Sequence, residues 1–176
     1  MIYEFCAENV TLLKKAIQAG ARRIELCDNL AVGGTTPSYG VTKAAVELAS
    51  DYDTTIMTMI RPRGGDFVYN DLEISIMLED IRVTAQAGSQ GVVFGALTAD
   101  KKLDKSNLEK LIAASKGMEI VFHMAFDELS DEDQLEAIDW LSQAGVTRIL
   151  TRAGVSGDSL EKRFAHYRRI LEHAAG

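Results

Sequence analysis

The sequence has few cysteines, few prolines and no long apolar run. Its 176 residues include two cysteines, two prolines and one tryptophan. Two cysteines are too few for a disulfide scaffold and are typical of a protein from a reducing compartment. No run approaches the roughly 18 apolar residues that would predict a membrane span. The N-terminal segment is acidic and lacks the basic region of a secretory signal, so we expect a cytoplasmic protein with no membrane partner.

The charge balance excludes a further class of partner. The chain has 19 basic and 26 acidic residues, which gives a formal net charge of −7. A surface of this sign repels phosphates, so we expect no nucleic-acid partner. Apolar residues make up 47% of the chain, and its length suits one hydrophobic core. We therefore predict a single domain over residues 1–176.

Strand-like and helical runs alternate along the chain. The predicted strands are residues 2–6, 23–27, 55–60, 91–95, 119–123 and 147–151. Helices are predicted at residues 9–19, 104–114 and 157–173, after Pro37-Ser38, from about Asp71, and along a stripe of Leu135, Ile138 and Leu141. Gln-Ala-Gly occurs three times, at 18–20, 86–88 and 143–145, each time just before a strand, where glycine can end a helix. Repeated βα units with long loops after the second and third strands predict a TIM-type (β/α) barrel of parallel strands.

Two helical runs carry more detailed expectations. In the first, Asn9 is a candidate N-cap. In the last, the apolar residues recur at helical spacing and are expected to face inward; they are Leu160, Phe164, Tyr167 and either Ile170 or Leu171. Both expectations concern the ends of the predicted barrel.

Residues 23–40, RIELCDNLAVGGTTPSYG, contain the clearest sign of a functional site. Side chains alternate between the two faces of a strand, so Ile24 and Leu26 share one face while Glu25 and Cys27 share the other. A carboxylate and a thiol at the C-terminal end of a strand are unusual in a core. A long loop follows, as expected at the functional end of a barrel.

Soft sulfur ligands are predicted on the inner face of the first three strands. Cys6 matches Cys27 in position, and Met57 and Met59 share a face of the third strand. Thiolates and thioethers favour Cu(I). The alternative is that these four side chains pack as interior residues, because free cysteine and methionine are common in cores. The sequence has no CxxC or HxxxH motif to decide between the two.

Three further residues are candidates for proton transfer. Glu25 needs a partner if it is buried, and Arg61 is the natural one. His123 ends the fifth strand and suits either a general acid or base or a structural role. Asp127 follows it, where a helix N-terminal charge is the alternative interpretation.

The loop after the third strand has the composition of an anion site. Arg61 and Arg63 flank Pro62, and two glycines then allow the backbone to approach a ligand. Such a loop suits a carboxylate or phosphate group. The alternative is a solvated basic loop that pairs with the acidic surface.

Several of these segments together resemble the CutC copper-homeostasis family. They are RIELCDNLAVGGTTPSYG, MIRPRGGDFVY, GVVFGALT, FHMAFD and RILT, in the family's order and spacing from Ile2 to Thr151. The resemblance implies a cytoplasmic (β/α)8 barrel linked to copper handling. It implies metal ligands at Cys6 and Cys27, and its pocket positions match Glu25, Arg61, Arg63, Asp66, His123 and Asp127.

The sequence departs from the family pattern at three places. Met124 stands where the family usually has an arginine, and Arg152-Ala153-Gly154 stands where it usually has Ser-Gly-Gly. The family also continues into two further strands, so we expect an incomplete barrel of about six of the eight βα units. Its unpaired edges predict either a homo-oligomer or a poorly stable fragment.

Two functional hypotheses follow from the sequence and the resemblance. The first is a copper-handling protein that binds Cu(I) through Cys6 and Cys27. The second is a barrel enzyme acting on a small anionic metabolite, in which Arg61 and Arg63 hold the anion and Glu25 or His123 moves a proton.

Overall fold

The computed structural model describes residues 1–154 and 157–175. Within these residues lie six strands, β1 (Glu4–Glu8), β2 (Arg23–Cys27), β3 (Thr55–Met59), β4 (Gly91–Phe94), β5 (Glu119–Phe122) and β6 (Arg148–Ile149). The helices are α1 (Leu13–Gln18), α2 (Tyr39–Ala49), α3 (Asp71–Gln86), α4 (Lys105–Ala114), α5 (Asp131–Gln143) and α6 (Leu160–Ala174). Short 3₁₀ turns span Leu30–Val32 and Met124–Glu128.

The strands form one parallel sheet in the order of the sequence, from β1 to β6. Each strand is followed by a chain segment that returns over the outer face of the sheet, as parallel pairing requires. The result is an incomplete TIM-type barrel, which confirms the predicted fold class. In the part of the chain that the structure describes, β1 and β6 are the two edges of the sheet.

Local sequence signals explain where the helices begin and end. The Ser38 hydroxyl accepts a hydrogen bond from the Val41 amide at the start of α2, and Asn70 forms a capping box with Glu73 at the start of α3. The three predicted helix-ending glycines all adopt positive φ angles; they are Gly20, Gly88 and Gly145.

The sheet separates two apolar regions. Its outer face packs against the helices, where side chains such as Ile24, Leu26 and Phe94 are fully buried. Its inner face carries a smaller cluster, composed of Cys27, Met57, Met59, Val93 and Val121. The alternation predicted for β2 is therefore confirmed, and it directs Glu25 and Cys27 toward the barrel interior.

The first βα unit differs from its prediction. The strand begins at Glu4 and continues to Glu8, and the helix begins only at Leu13. Asn9 has a φ of 57° and does not cap the helix. Its amide donates a hydrogen bond to the Cys27 carbonyl, which prolongs the contact between β1 and β2 beyond the predicted end of the strand.

The prediction for α6 was largely wrong. Ile170 is buried, but the other apolar residues of the stripe are exposed; they are Leu160, Phe164, Tyr167 and Leu171. The neighbouring strand β6 contains two residues instead of the predicted five and lies at the sheet edge. Within residues 1–154 and 157–175, no strand lies beyond it to cover the stripe.

Candidate functional site

The pairing of β1 with β2 brings two cysteines and a carboxylate together. Cys6 lies opposite Glu25 in the parallel register, and Cys27 follows two residues later on the same face. One sulfur from each cysteine and one oxygen of Glu25 all lie within 4.8 Å of one another. Cys27 and Glu25 are buried, whereas Cys6 is exposed at the edge strand. We call this group the thiol site.

The carboxylate of Glu25 has few hydrogen-bond partners within the thiol site. The Cys27 thiol donates to Glu25 Oε1 over 3.8 Å, and Glu25 Oε2 is buried without a hydrogen-bond partner. The predicted pairing with Arg61 does not occur: among the described residues, Glu25 makes no ion pair. Arg61 is engaged elsewhere by loop carbonyls, and Arg23, on the same strand, pairs with Glu4 at 3.0 Å.

The pKa values of the two buried groups of the thiol site, Glu25 and Cys27, are both raised. Burial raises the pKa of Glu25, although hydrogen bonds with the two thiols act in the opposite direction. The contact with the Cys6 sulfur, burial and the charge of Glu25 all raise the pKa of the Cys27 thiol. The Cys27 thiol therefore keeps its proton at neutral pH in the metal-free site, and a bound cation would replace that proton.

The loop after β2 covers Cys27. Gly34 has a φ of 88°, and a Cβ atom there would lie 3.0 Å from the Cys27 sulfur. Only glycine tolerates both the backbone conformation and this approach without strain. The loop therefore closes tightly over one side of the thiol site, while the β1 edge leaves Cys6 open to solvent.

Arg61 fastens the two long loops together. Its Nη1 donates to the carbonyls of Val32 and Gly34, both at 2.9 Å, and its Nη2 donates to the Gly65 carbonyl at 2.7 Å. The guanidinium also lies 5.0 Å from the centre of the Phe67 ring. Arg61 is buried, and its Nε has no hydrogen-bond partner.

His123 lies across the end of β4. A Cβ atom at Gly95 would lie 2.7 Å from the imidazole, so glycine leaves the space that the ring occupies. The ring centre is 4.7 Å from that of Phe67. Its Nδ1 accepts a hydrogen bond from the Ala125 amide, and its Nε2 is buried without a partner. Burial and the nearby charge of Arg61 lower the pKa of His123 to about 3.

Arg63 and Asp66 lie apart from these groups. Arg63 bonds to Glu73 at 2.5 Å and to Asp66 at 3.0 Å, and it donates to the carbonyl of Val68 at 2.7 Å. These contacts hold the loop on itself and on the start of α3. The two arginines therefore do not form a clamp around one space, because each is engaged by a different part of the loop.

Asp127 has partners of its own. Its carboxylate accepts hydrogen bonds from the Thr151 hydroxyl and from the Arg152 amide, the latter at 3.0 Å. Arg152 Nε lies 3.8 Å from the same carboxylate. Asp127 is buried and links the turn after β5 to the segment after β6, which gives it a positioning role in the fold.

The sequence matches one protein family over nearly its whole length. The model of the CutC family matches residues 1–175. The chain belongs to the CutC family. It is 52% identical to a CutC family protein of Enterococcus faecalis over 174 residues, which cover 99% of the chain and 83% of the relative. A CutC family protein of Streptococcus pyogenes is 47% identical over 174 residues, which again cover 99% of this chain and 83% of the relative.

A solved CutC structure has the same fold. The copper homeostasis protein CutC from Streptococcus agalactiae superposes with a TM-score of 0.95 at 45% identity, over 100% of this chain and 84% of that one. An archaeal fructose-1,6-bisphosphate aldolase superposes with a TM-score of 0.65 at 15% identity, over 93% of this chain and 62% of that one. The second similarity supports only the barrel fold. Within the described residues, every helix is too short or too polar to cross a membrane.

The methionines of this CutC family member pack in the inner cluster that also contains Cys27. Met57 Sδ lies 3.8 Å from an Arg148 nitrogen, and Arg148 pairs with Glu119 near the opposite end of the strands. Gly91 makes room for this arrangement, since a Cβ there would collide with the Met57 side chain. Met59 is buried in the inner cluster. Met57 therefore packs as an interior side chain, which is the alternative left open by the sequence.

Sequence reasoning missed the residues that shape the site without reacting. Gly34, Gly95 and Phe67 determine where Cys27, His123 and the Arg61 guanidinium lie. One signal was present: Gly95 occupies an inward position at the end of a strand, where a missing side chain indicates that another group comes close. The position of Phe67 depends on its loop, and a single sequence gives no sign of it.

Proposed function

We propose that this chain binds Cu(I) through the thiolates of Cys6 and Cys27, with Glu25 beside them, and that it acts in copper homeostasis as the name of its Streptococcus agalactiae relative states. The observation that carries the proposal is the unpartnered buried oxygen of Glu25 next to two thiols. Two thiolates and a carboxylate would place excess negative charge in a partly buried site. A cation bound there would offset that charge.

The donor set favours Cu(I) over harder cations. Two of the three ligands are thiolates, which select soft ions, whereas Mg²⁺ and Ca²⁺ require six or more oxygen ligands. Zn²⁺ also binds thiolates, but structural zinc sites have four ligands, and the thiol site offers three. The exposed Cys6 gives the ion a route from solvent, and the buried Cys27 would retain it.

Anaerobic competition against a chromophoric Cu(I) chelator tests the proposal. The wild-type protein is expected to withdraw one Cu(I) per chain, and Cys6→Ser and Cys27→Ser are each expected to weaken binding by at least about 100-fold. Loss of an outer partner already costs 10–100-fold at metal sites, and loss of a ligand costs more. Glu79→Gln is the control, because Glu79 lies on α3 and pairs with Arg82 away from the thiol site. Unchanged affinity in both cysteine variants would refute the proposal.

We further propose that copies of the chain associate through the exposed side of α6. Its apolar residues include Leu160 and Phe164, which are 71% and 68% exposed. Exposed stripes of this kind are typical of interaction surfaces. The helix also has four basic and two acidic residues in a chain of net charge −7, so its surface is complementary to the acidic remainder of a second copy.

A further inference from the structure

The barrel mouth contains a second group of unsatisfied side chains, separate from the thiol site. Arg61, His123 and Tyr69 are all buried, at 4%, 3% and 7% exposure. Each carries a buried polar atom without a hydrogen-bond partner: Arg61 Nε, His123 Nε2 and the Tyr69 hydroxyl. A buried unsatisfied donor costs about 1–3 kcal/mol, so three in one region indicate a bound group that completes them.

Two of these three groups pack against the same aromatic ring. The Arg61 guanidinium and the His123 ring both contact Phe67, at 5.0 Å and 4.7 Å from its ring centre. The space at Gly95 allows the imidazole, which follows β5, to lie across the end of β4; β4 pairs with β3, the strand that precedes Arg61. Burial and the charge of Arg61 lower the pKa of His123. Burial raises the pKa of Tyr69, and the charge of Arg61 opposes that rise, so Arg61 is near both groups.

The protonation states make both nitrogens donors. His123 Nδ1 accepts a hydrogen bond from the Ala125 amide, so the ring proton of the neutral imidazole is on Nε2. Arg61 Nε always carries a proton, and a guanidinium has no acceptor. Tyr69 adds a hydroxyl that can donate. The complementary ligand is therefore an acceptor without protons.

The charge of the region sets the class of ligand. Among the described residues, Arg61 has no acidic partner, and its other hydrogen bonds go to neutral carbonyls. A buried guanidinium without a counter-charge favours an anion. The Arg63 guanidinium lies 5.3 Å from the centre of the Tyr69 ring, but it pairs with Asp66 and Glu73. With Arg61 as the unpaired positive charge and a neutral imidazole, the region balances one negative charge. A planar carboxylate meets this requirement, whereas a phosphate dianion would leave one charge unbalanced.

We propose that the mouth of the barrel holds a small carboxylate ligand between Arg61 Nε and His123 Nε2, with the Tyr69 hydroxyl as a third donor. This site is distinct from the thiol site, because Arg61 and Cys27 lie on different sides of the Gly33-Gly34 segment: a Cβ at Gly33 would approach Arg61, and one at Gly34 would approach Cys27. The proposal replaces the clamp of two arginines with a clamp of one arginine and one histidine.

Titration of the full copper-free chain with acetate tests the proposal. Ionic strength is held constant with sodium chloride, and the Nε2 resonance of His123 is followed by NMR together with the melting temperature. Acetate is expected to shift the resonance saturably and to raise the melting temperature, since a ligand that binds only the folded state stabilises it. His123→Phe and Tyr69→Phe are each expected to weaken the affinity for acetate about tenfold, which is the effect of losing one hydrogen bond to a charged group. The affinity is read from the acetate concentration at which the melting temperature rises.

His173→Phe is the matched control, because His173 lies on α6 and pairs with Asp139. It is expected to bind acetate like the wild type. Arg61→Lys, which keeps the charge but loses Nε, is expected to abolish the shift; if it does not fold, the His123 and Tyr69 variants still decide the matter. Inorganic phosphate is titrated in parallel. Saturation by phosphate but not acetate, equal responses to acetate and chloride, or acetate binding unaffected by His123→Phe would overturn the proposal.

Discussion

At the scale of single residues, two buried ionisable side chains lack an oppositely charged partner in the described part of the chain. Glu25 lies beside two thiols, and Arg61 donates to loop carbonyls. They do not neutralise each other, although the sequence suggested that they would. Each therefore creates a local demand for an outside group: a cation at the thiol site and an anion at Arg61. The two proposals above follow from these opposite demands.

The raised pKa of the Cys27 thiol gives a pH dependence for copper binding. Because this thiol holds its proton at neutral pH, binding of Cu(I) as a thiolate complex must release that proton. Affinity is expected to rise about tenfold per pH unit for each proton released, over pH 6 to 8. Chelator competition at several pH values measures the slope. A pH-independent affinity would contradict thiolate ligation by Cys27.

The buried imidazole of His123 gives a pH dependence for stability. Its pKa is about 3 in the folded protein and about 6.5 in an unfolded chain, so the unfolded state binds more protons between these values. The free energy of unfolding is therefore expected to fall by about 1.4 kcal/mol per pH unit as the pH drops below 6.5. Urea denaturation at pH 7, 6 and 5 measures this slope.

His123→Phe is expected to remove most of that slope, because phenylalanine fills a similar volume and does not titrate. His173→Phe serves as the control and is expected to retain it, since His173 is on the surface of α6. The pH dependence of the His123→Phe variant shows what all other groups contribute. If the wild-type protein loses no more stability between pH 7 and pH 5 than this variant does, the imidazole is not held neutral in the folded state.

Sequence reasoning at this scale identified the reacting groups but not all of their partners. The alternation of side chains along β2 is a local property, so Glu25 and Cys27 could be assigned to one face. The partners of Arg61 are carbonyls of two separate loops, and their positions follow from the tertiary fold. Such contacts leave no pattern in a single sequence.

At the scale of elements, the glycine at the end of β4 determines the position of His123. Gly95→Ala is expected to destabilise the protein by about 1–3 kcal/mol, because the new Cβ would lie 2.7 Å from the imidazole and force it aside. Gly40→Ala is the matched comparison. Gly40 lies in α2, and a Cβ there would meet only Ser38 Oγ at 3.9 Å, so the protein is expected to gain about 0.5 kcal/mol.

Thermal or urea denaturation of both glycine variants checks these signs. A neutral or stabilising effect of Gly95→Ala would show that the ring does not need the space above Gly95. The pair also separates the local packing effect from the general effect of removing a glycine from the unfolded chain, which the two substitutions share.

The elements themselves were largely predictable, and the exceptions have physical reasons. The Ser38 cap and the repeated Gln-Ala-Gly joints are local signals and marked helix ends correctly, whereas Asn9 does not cap a helix. The first strand continues past its predicted end because the Asn9 amide bonds to the Cys27 carbonyl, a contact between distant parts of the sequence. The apolar stripe of α6 correctly predicted a helix, but periodicity does not reveal what the stripe packs against.

At the scale of the whole molecule, the exposed stripe of α6 predicts association. Light scattering of the purified chain is expected to give a mass above that of one copy, and Phe164→Glu is expected to lower it to the monomer, since it places a charge in an apolar contact. Leu72→Glu is the matched control, because Leu72 on α3 is similarly exposed, at 71% against 68% for Phe164. A monomeric wild-type protein, or equal effects of the two substitutions, would contradict association through α6.

The barrel fold places both proposed sites at the same end of the sheet. Cys27, Arg61 and His123 all lie at or just after the C-terminal ends of their strands, where barrels carry their functional groups. This convergence could be predicted from the alternation of strands and helices. The division into a thiol site and an arginine–histidine site could not, because it depends on how the Gly33-Gly34 segment passes between them.

The most direct test of the copper site is anomalous scattering at the copper edge from crystals of the protein loaded anaerobically with Cu(I). We predict one strong peak within bonding distance of the sulfur atoms of Cys6 and Cys27, beside the Glu25 carboxylate. A peak that touches neither sulfur, or copper found only at surface residues, would contradict the central claim.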